Sequence, residues 1–151
     1  MTSTCTTRRR ALPARVLLAV YLIALAWIVF MPARTAGRVI GLVDIVAGWA
    51  GAFGVPFDVA YPVLEFSANI ALFVPFGILV ALSIPRSRRR FGMTAALAFL
   101  SSCAIELIQL SIPTRVSTVS DVVANTLGGI IGALIIRVLT RRGAPTTVNP
   151  A

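Results

Sequence analysis

Four apolar runs, at residues 16–31, 66–84, 93–112 and 120–139, dominate this chain, and each is stopped by a proline, by arginines or by both. Runs of this length match the thickness of a bilayer's hydrocarbon core. Inside that core every backbone N–H and C=O must be satisfied within the protein, which favours helices. The expected fold is therefore all-α: an integral membrane helical bundle of four transmembrane helices plus one interfacial amphipathic helix. Composition agrees, since 58% of the residues are hydrophobic and 13% charged, against about 25% charged in a soluble average.

The punctuation sets the domain limits. Residues 1–13 read as a basic cytoplasmic tail, 14–139 as the membrane domain, and the Pro/Thr-rich residues 140–151 as a disordered cytoplasmic tail. The first apolar run is followed by Arg34 and lacks a small-x-small cleavage pattern, so it is expected to stay as a helix instead of leaving as a signal peptide. Pro56, Asp58 and Pro62 are expected to break the chain before the second span, with Asp58 and Glu65 as solvated loop charges. Between the first two spans, Val39, Leu42, Val43, Val46, Trp49, Ala50 and Phe53 recur at helical spacing. Residues 39–55 thus suggest a helix lying on the membrane surface with Trp49 as its anchor.

The basic residues orient the bundle. All 14 are arginine, giving a net charge of +9. With four spans and the N-terminus inside, Arg8, Arg9, Arg10, Arg15, Arg86, Arg88, Arg89, Arg90, Arg137, Arg141 and Arg142 fall on the inner side. Arg34, Arg38 and Arg115 fall outside. That asymmetry is the positive-inside pattern, with both termini cytoplasmic. A fifth span at 39–55 would reverse the dense Arg86–Arg90 cluster. Because the arginines flank apolar runs instead of lining one polar face, nucleic acid is not expected as a partner.

Histidine is absent, and Cys5 and Cys103 stand alone. These facts exclude His-dependent phosphatase, rhomboid-type protease and zinc-hydrolase chemistry, and no metal or cofactor is expected.

The polar residues within the spans carry the functional signal. Glu106-x-x-Gln109 ends the third span, and Asp121-x-x-x-Asn125 opens the fourth, with Arg115 in the loop between. Asn69 lies one turn below Glu65 in the second span. At about 1.5 Å of rise per residue, Asn69, Glu106 and Asn125 each sit roughly 5–10 Å inside the outer boundary. Three helices thus bring polar groups to one depth. An interhelical hydrogen bond contributes about 0.6–2 kcal/mol, while a charge at mid-bilayer costs about 2.5 kcal/mol or more. Packing glue alone is a poor reason to keep a carboxylate, because glutamine would serve. The candidate binding residues are therefore Asn69, Glu106, Gln109, Arg115, Asp121 and Asn125. Asp121, or Ser120, could equally cap the fourth helix.

A second stripe reads as packing. Gly128 and Gly132 continue the Asp121/Asn125 face, and small residues at this spacing let helices approach closely, within the bundle or in a homo-oligomer. Pro75 and Gly77, within Phe73-Val74-Pro75-Phe76-Gly77, suggest a kinked packing surface. A proline there frees a backbone carbonyl that a neighbouring helix or water must satisfy.

Asn69 with Leu72-Phe73-Val74-Pro75-Phe76-Gly77, then Glu106-x-x-Gln109, then Arg115 and Asp121-x-x-x-Asn125-Thr126-x-Gly128, resembles the VanZ-like family over residues 65–135. The resemblance implies a small multi-span protein of bacterial envelopes. The family takes its name from a member that confers low-level teicoplanin resistance, and it supplies a setting instead of a reaction. On this reading the polar cluster binds a lipid headgroup, a lipid-linked wall intermediate or a glycopeptide at the outer leaflet, without catalysis. One alternative is an intramembrane enzyme using Glu106 and Asp121 as an acid/base pair or to share a divalent cation. The other is a small-molecule transporter subunit, which Glu106 fits less well because it lies far from mid-bilayer.

Overall fold

The computed structural model describes residues 3–30, 42–111 and 118–142. Among the described residues there are five helices: α1 (Ser3–Phe30), α2 (Leu42–Ala52), α3 (Phe57–Ser83), α4 (Arg90–Gln109) and α5 (Val119–Arg142). No strand occurs among the described residues. Helices α3, α4 and α5 are each long and apolar enough to cross a membrane, and α1 carries a shorter apolar stretch at Leu12–Ile28. Helix α2 has 11 residues, roughly 16 Å at the helical rise, which is too short to span. Ile45, Val46 and Trp49 on it are exposed, and it packs beside α3.

Two helix starts differ from the sequence reading. Helix α1 begins at Ser3 and continues through Pro13, so most of the basic N-terminal stretch is helical. Arginine is a good helix former, and an apolar helix already nucleated downstream extends through it readily. Helix α3 begins at Phe57 instead of beyond Pro62. Pro56 serves as its N-cap, and its carbonyl accepts from the N–H groups of Val59 and Ala60 at 3.1 and 3.0 Å. Asp58 and Glu65 are accordingly helical, not loop, residues, with Asp58 in the first turn, where a carboxylate suits the helix dipole. At a helix entry the missing proline N–H costs no backbone hydrogen bond, so Pro56 starts a helix here instead of breaking one. The far end of α3 follows from Pro85, which confines the preceding residue to extended geometry. Ile84 adopts φ −87° and ψ 136° and ends the helix there.

Helix α5 packs against both α3 and α4. Its buried residues include Ala124, Asn125, Gly128, Gly129, Gly132 and Ala133, small groups that admit a neighbour on each side. A Cβ placed on Gly128 would collide with the Ile70 carbonyl and Phe73, and one on Gly132 with the backbone of Val74 and Ile78. On α3, a Cβ on Gly77 would strike the backbone of Gly129. Helices α3 and α5 therefore meet backbone to backbone. Gly129 turns the other way, against Ala98 of α4.

Helix α4 contributes a buried stripe of Thr94, Ala98, Ser102, Glu106 and Gln109, at the spacing of one helix face. Helix α1 closes the far side of α3, where Leu25 joins Phe73, Phe76 and Val80 in an apolar core. The Tyr21 hydroxyl donates to the Leu72 carbonyl. That carbonyl lies beside Ala71, whose usual helical donor is missing because residue 75 is proline. The neighbouring helix thus supplies a polar group at the stretch of α3 that proline disturbs.

Candidate functional site

Asp121 is the meeting point of three helices. It occupies the first turn of α5, and its backbone N–H bonds the Thr118 carbonyl at 2.9 Å. Asn69 Nδ2 of α3 donates to Asp121 Oδ1 at 2.7 Å. From α4, the Glu106 carboxyl comes within hydrogen-bonding reach of the same Asp121 side chain. Of the two roles open to Asp121 in the sequence, the geometry displays the interhelical one.

The remaining residues extend this centre along α4 and α5. Glu106 is 7% exposed, Gln109 9% and Asn125 5%, so each is shielded even though it is polar. Asn69 and Asp121 are half-buried. Burial of this kind is costly unless the groups satisfy one another or a guest, which ties the cluster's members together energetically. Arg115 lies outside the described residues, in the segment joining α4 to α5.

Two hydroxyl residues, Thr94 and Ser102, escaped the sequence reading, and Thr126 entered it only within the family motif. Thr94 and Ser102 are fully buried on the Glu106 face of α4. Thr94 donates to the Arg90 carbonyl at 2.9 Å, a bond internal to its helix. Ser102 Oγ and Thr126 Oγ1 are buried and have no hydrogen-bond partner among the described residues. Ser102 lies four residues before Glu106, one turn deeper on the same face, and that spacing was the available signal. A serine in an apolar run carries no charge penalty and so attracts no notice. Among the described residues, no group of three or more acidic, Cys or His side chains could hold a metal ion.

The arrangement can therefore offer amide donors from Asn69, Gln109 and Asn125 and carboxyl groups from Glu106 and Asp121, within apolar walls. A model of the VanZ/LLP1 family matches residues 18–140. The chain belongs to the VanZ/LLP1 family. The matched region runs from the apolar part of α1 to the end of α5 and takes in every polar residue of the site. Protein VanZ of Enterococcus faecium is 26% identical over 122 residues, covering 79% of this chain and 70% of that protein. No solved structure matches the chain significantly. Membership and the apolar helices together make this VanZ/LLP1 chain a membrane protein.

Proposed function

We propose that this VanZ/LLP1 protein is a non-enzymatic binding protein of the bacterial envelope whose ligand is a polar headgroup seated at the Asn69–Asp121–Glu106 centre. The ligand class is a lipid headgroup, a lipid-linked wall intermediate or a lipophilic glycopeptide. The observation that carries this reading is the convergence of α3, α4 and α5 on Asp121, with Gln109 and Asn125 buried alongside. The Ser102 and Thr126 hydroxyls, buried without partners among the described residues, add support, because such polar atoms call for a guest or water. Arg115, in the connecting segment, would meet a phosphate or carboxylate of the ligand. The arginine distribution favours the outer leaflet for this end of the bundle, where wall intermediates and glycopeptides are available. The family's founding association with teicoplanin resistance points to the same ligand class.

The deciding experiment is teicoplanin susceptibility of a deletion strain carrying wild type or Glu106→Gln at matched membrane abundance. Rescue by wild type alone supports a glycopeptide-linked role for the cluster. Rescue by both variants reduces Glu106 to packing, and absence of any phenotype removes the glycopeptide reading.

A second reading rests on the Glu106–Asp121 contact itself. Two carboxyl groups within hydrogen-bonding reach are the arrangement an acid/base pair requires. Under that reading, the purified protein converts an envelope lipid, and Asp121→Asn abolishes conversion. The binding reading is preferred because no nucleophile of a known triad type accompanies the carboxyls. Candidate lipids recovered unmodified after incubation, with or without Mg²⁺, would eliminate catalysis.

A further inference from the structure

The opposite end of the bundle holds a second polar layer. Arg90 is sixteen residues from Glu106 along α4, about 24 Å at the helical rise. Arg137 stands at the same remove from Asp121 along α5. With Glu106 roughly 5–10 Å inside the outer boundary, a further 24 Å or so crosses the rest of a hydrocarbon core of about 30 Å, so the arginine layer lies at the headgroup level of the other leaflet.

Between the α3–α4 connection and the end of α5 is a cavity of about 560 Å³, lined by Arg86, Arg88, Arg90, Arg137, Thr140 and Arg141. Its size is that of small-molecule sites. Its apolar wall comes from Ala81, Ala133 and Phe91. Five arginines line it, and no acidic residue does. The chain has five acids. Glu106 and Asp121 belong to the far cluster, and Asp44, Asp58 and Glu65 precede or open α3, whose other end borders the cavity.

Two of the arginines are held in place. Arg90 Nη2 donates to Thr140 Oγ1 at 3.1 Å, which ties the start of α4 to the end of α5. The Arg137 guanidinium lies 5.2 Å from the centre of the Phe91 ring, within cation–π range. Helix α4 begins here without a side-chain cap, and a helix N-terminus favours an anion. A purely topological role asks only that the arginines be solvated and near the interface. It does not require two of them to be fixed around one cavity. Prior fixing lowers the entropy lost when a ligand is bound.

We propose that this cavity is a binding site for a phosphate group, presented either as the headgroup of an anionic phospholipid or as a free phosphate ester. Arg90 and Arg137 grip the phosphate oxygens, for which the planar guanidinium is suited. Arg86, Arg88 and Arg141 supply further positive charge, and Ala81, Ala133 and Phe91 accept the apolar part next to the phosphate. The site is distinct from the Asp121 centre and does not depend on what that centre binds.

Native mass spectrometry of the full chain in detergent, titrated with phosphatidylglycerol, phosphatidylcholine or glycerol 3-phosphate, tests the proposal. Wild type is expected to retain phosphatidylglycerol well above phosphatidylcholine. Arg90→Gln/Arg137→Gln is expected to weaken retention at least tenfold, and Arg15→Gln, an exposed arginine that does not line the cavity, by less than twofold. Arg88→Gln/Arg141→Gln, at exposed positions, is expected to show an intermediate loss and keeps the test open if the first pair unfolds. Displacement of the lipid by glycerol 3-phosphate identifies a free ester as a sufficient ligand; retention against it identifies the lipid. Equal loss in Arg15→Gln and the cavity variants overturns the site, as does equal retention of the two lipids with no glycerol 3-phosphate bound.

Discussion

Asn69 and Asp121, 52 residues apart in the chain, are joined side chain to side chain at 2.7 Å across the α3–α5 contact. In water such a pair would compete with solvent at every moment. Inside a bundle it ties two helices at a fixed height, and the Glu106 carboxyl approaches from a third. A double-mutant cycle with Asn69→Leu and Asp121→Leu is expected to show a coupling of about 0.6–2 kcal/mol. The measurement is reversible unfolding in mixed micelles. Strict additivity would mean that the bond contributes nothing to assembly.

The glycine positions give an internally controlled prediction. Gly77→Ala, Gly128→Ala and Gly132→Ala each push a methyl into backbone of the facing helix, which cannot swing aside as a side chain could. Each is expected to destabilise by about 1–3 kcal/mol, the usual range for overpacking. Gly48→Ala and Gly51→Ala meet nothing within 4 Å, so helix propensity should dominate and stabilise α2 by up to about 1 kcal/mol. Thermal melts of the five purified variants in one detergent separate the two groups. Similar shifts in both groups would remove the close α3–α5 approach.

The helices were legible because apolar length, arginine and proline are loud signals, and the rise per residue alone led to the expectation that Asn69, Glu106 and Asn125 share one depth. Three features were hidden for identifiable reasons. Proline both ends helices and begins them, so Pro56 could not be told from a breaker until its carbonyl was seen accepting from Val59 and Ala60. Asp121 could satisfy its own helix end or a neighbour with the same atoms, and only three-dimensional placement chooses between them. Ser102 was silent because one hydroxyl in an apolar run has a small energetic signature. The arginine cavity was half visible: the charges could be counted, but their convergence from the α3–α4 connection and the end of α5 could not.

Tyr21→Phe removes the hydroxyl that donates to the Leu72 carbonyl while leaving the ring packed between α1 and α3. The expected loss is about 0.5–1.5 kcal/mol, the net value of one hydrogen bond. Because Tyr21 is a polar link between α1 and the Pro75 region, hydrogen exchange should accelerate in residues near Leu72 more than in α5. Uniform acceleration throughout the bundle would show that the contact acts only through global stability.

Ser102→Ala and Thr126→Val test whether the two buried hydroxyls without partners among the described residues serve the fold or a guest. Removing a buried polar atom that has no partner relieves its desolvation and changes volume little, so each variant is expected to melt at or slightly above the wild-type temperature. A structural water bonded to either hydroxyl would reverse that sign, with a loss of roughly 1 kcal/mol or more. If the hydroxyls serve the ligand of the Asp121 centre, the same variants should weaken glycopeptide-dependent rescue at undiminished abundance. Stability and rescue therefore move in opposite directions under the binding reading, and together if the hydroxyls belong to the fold.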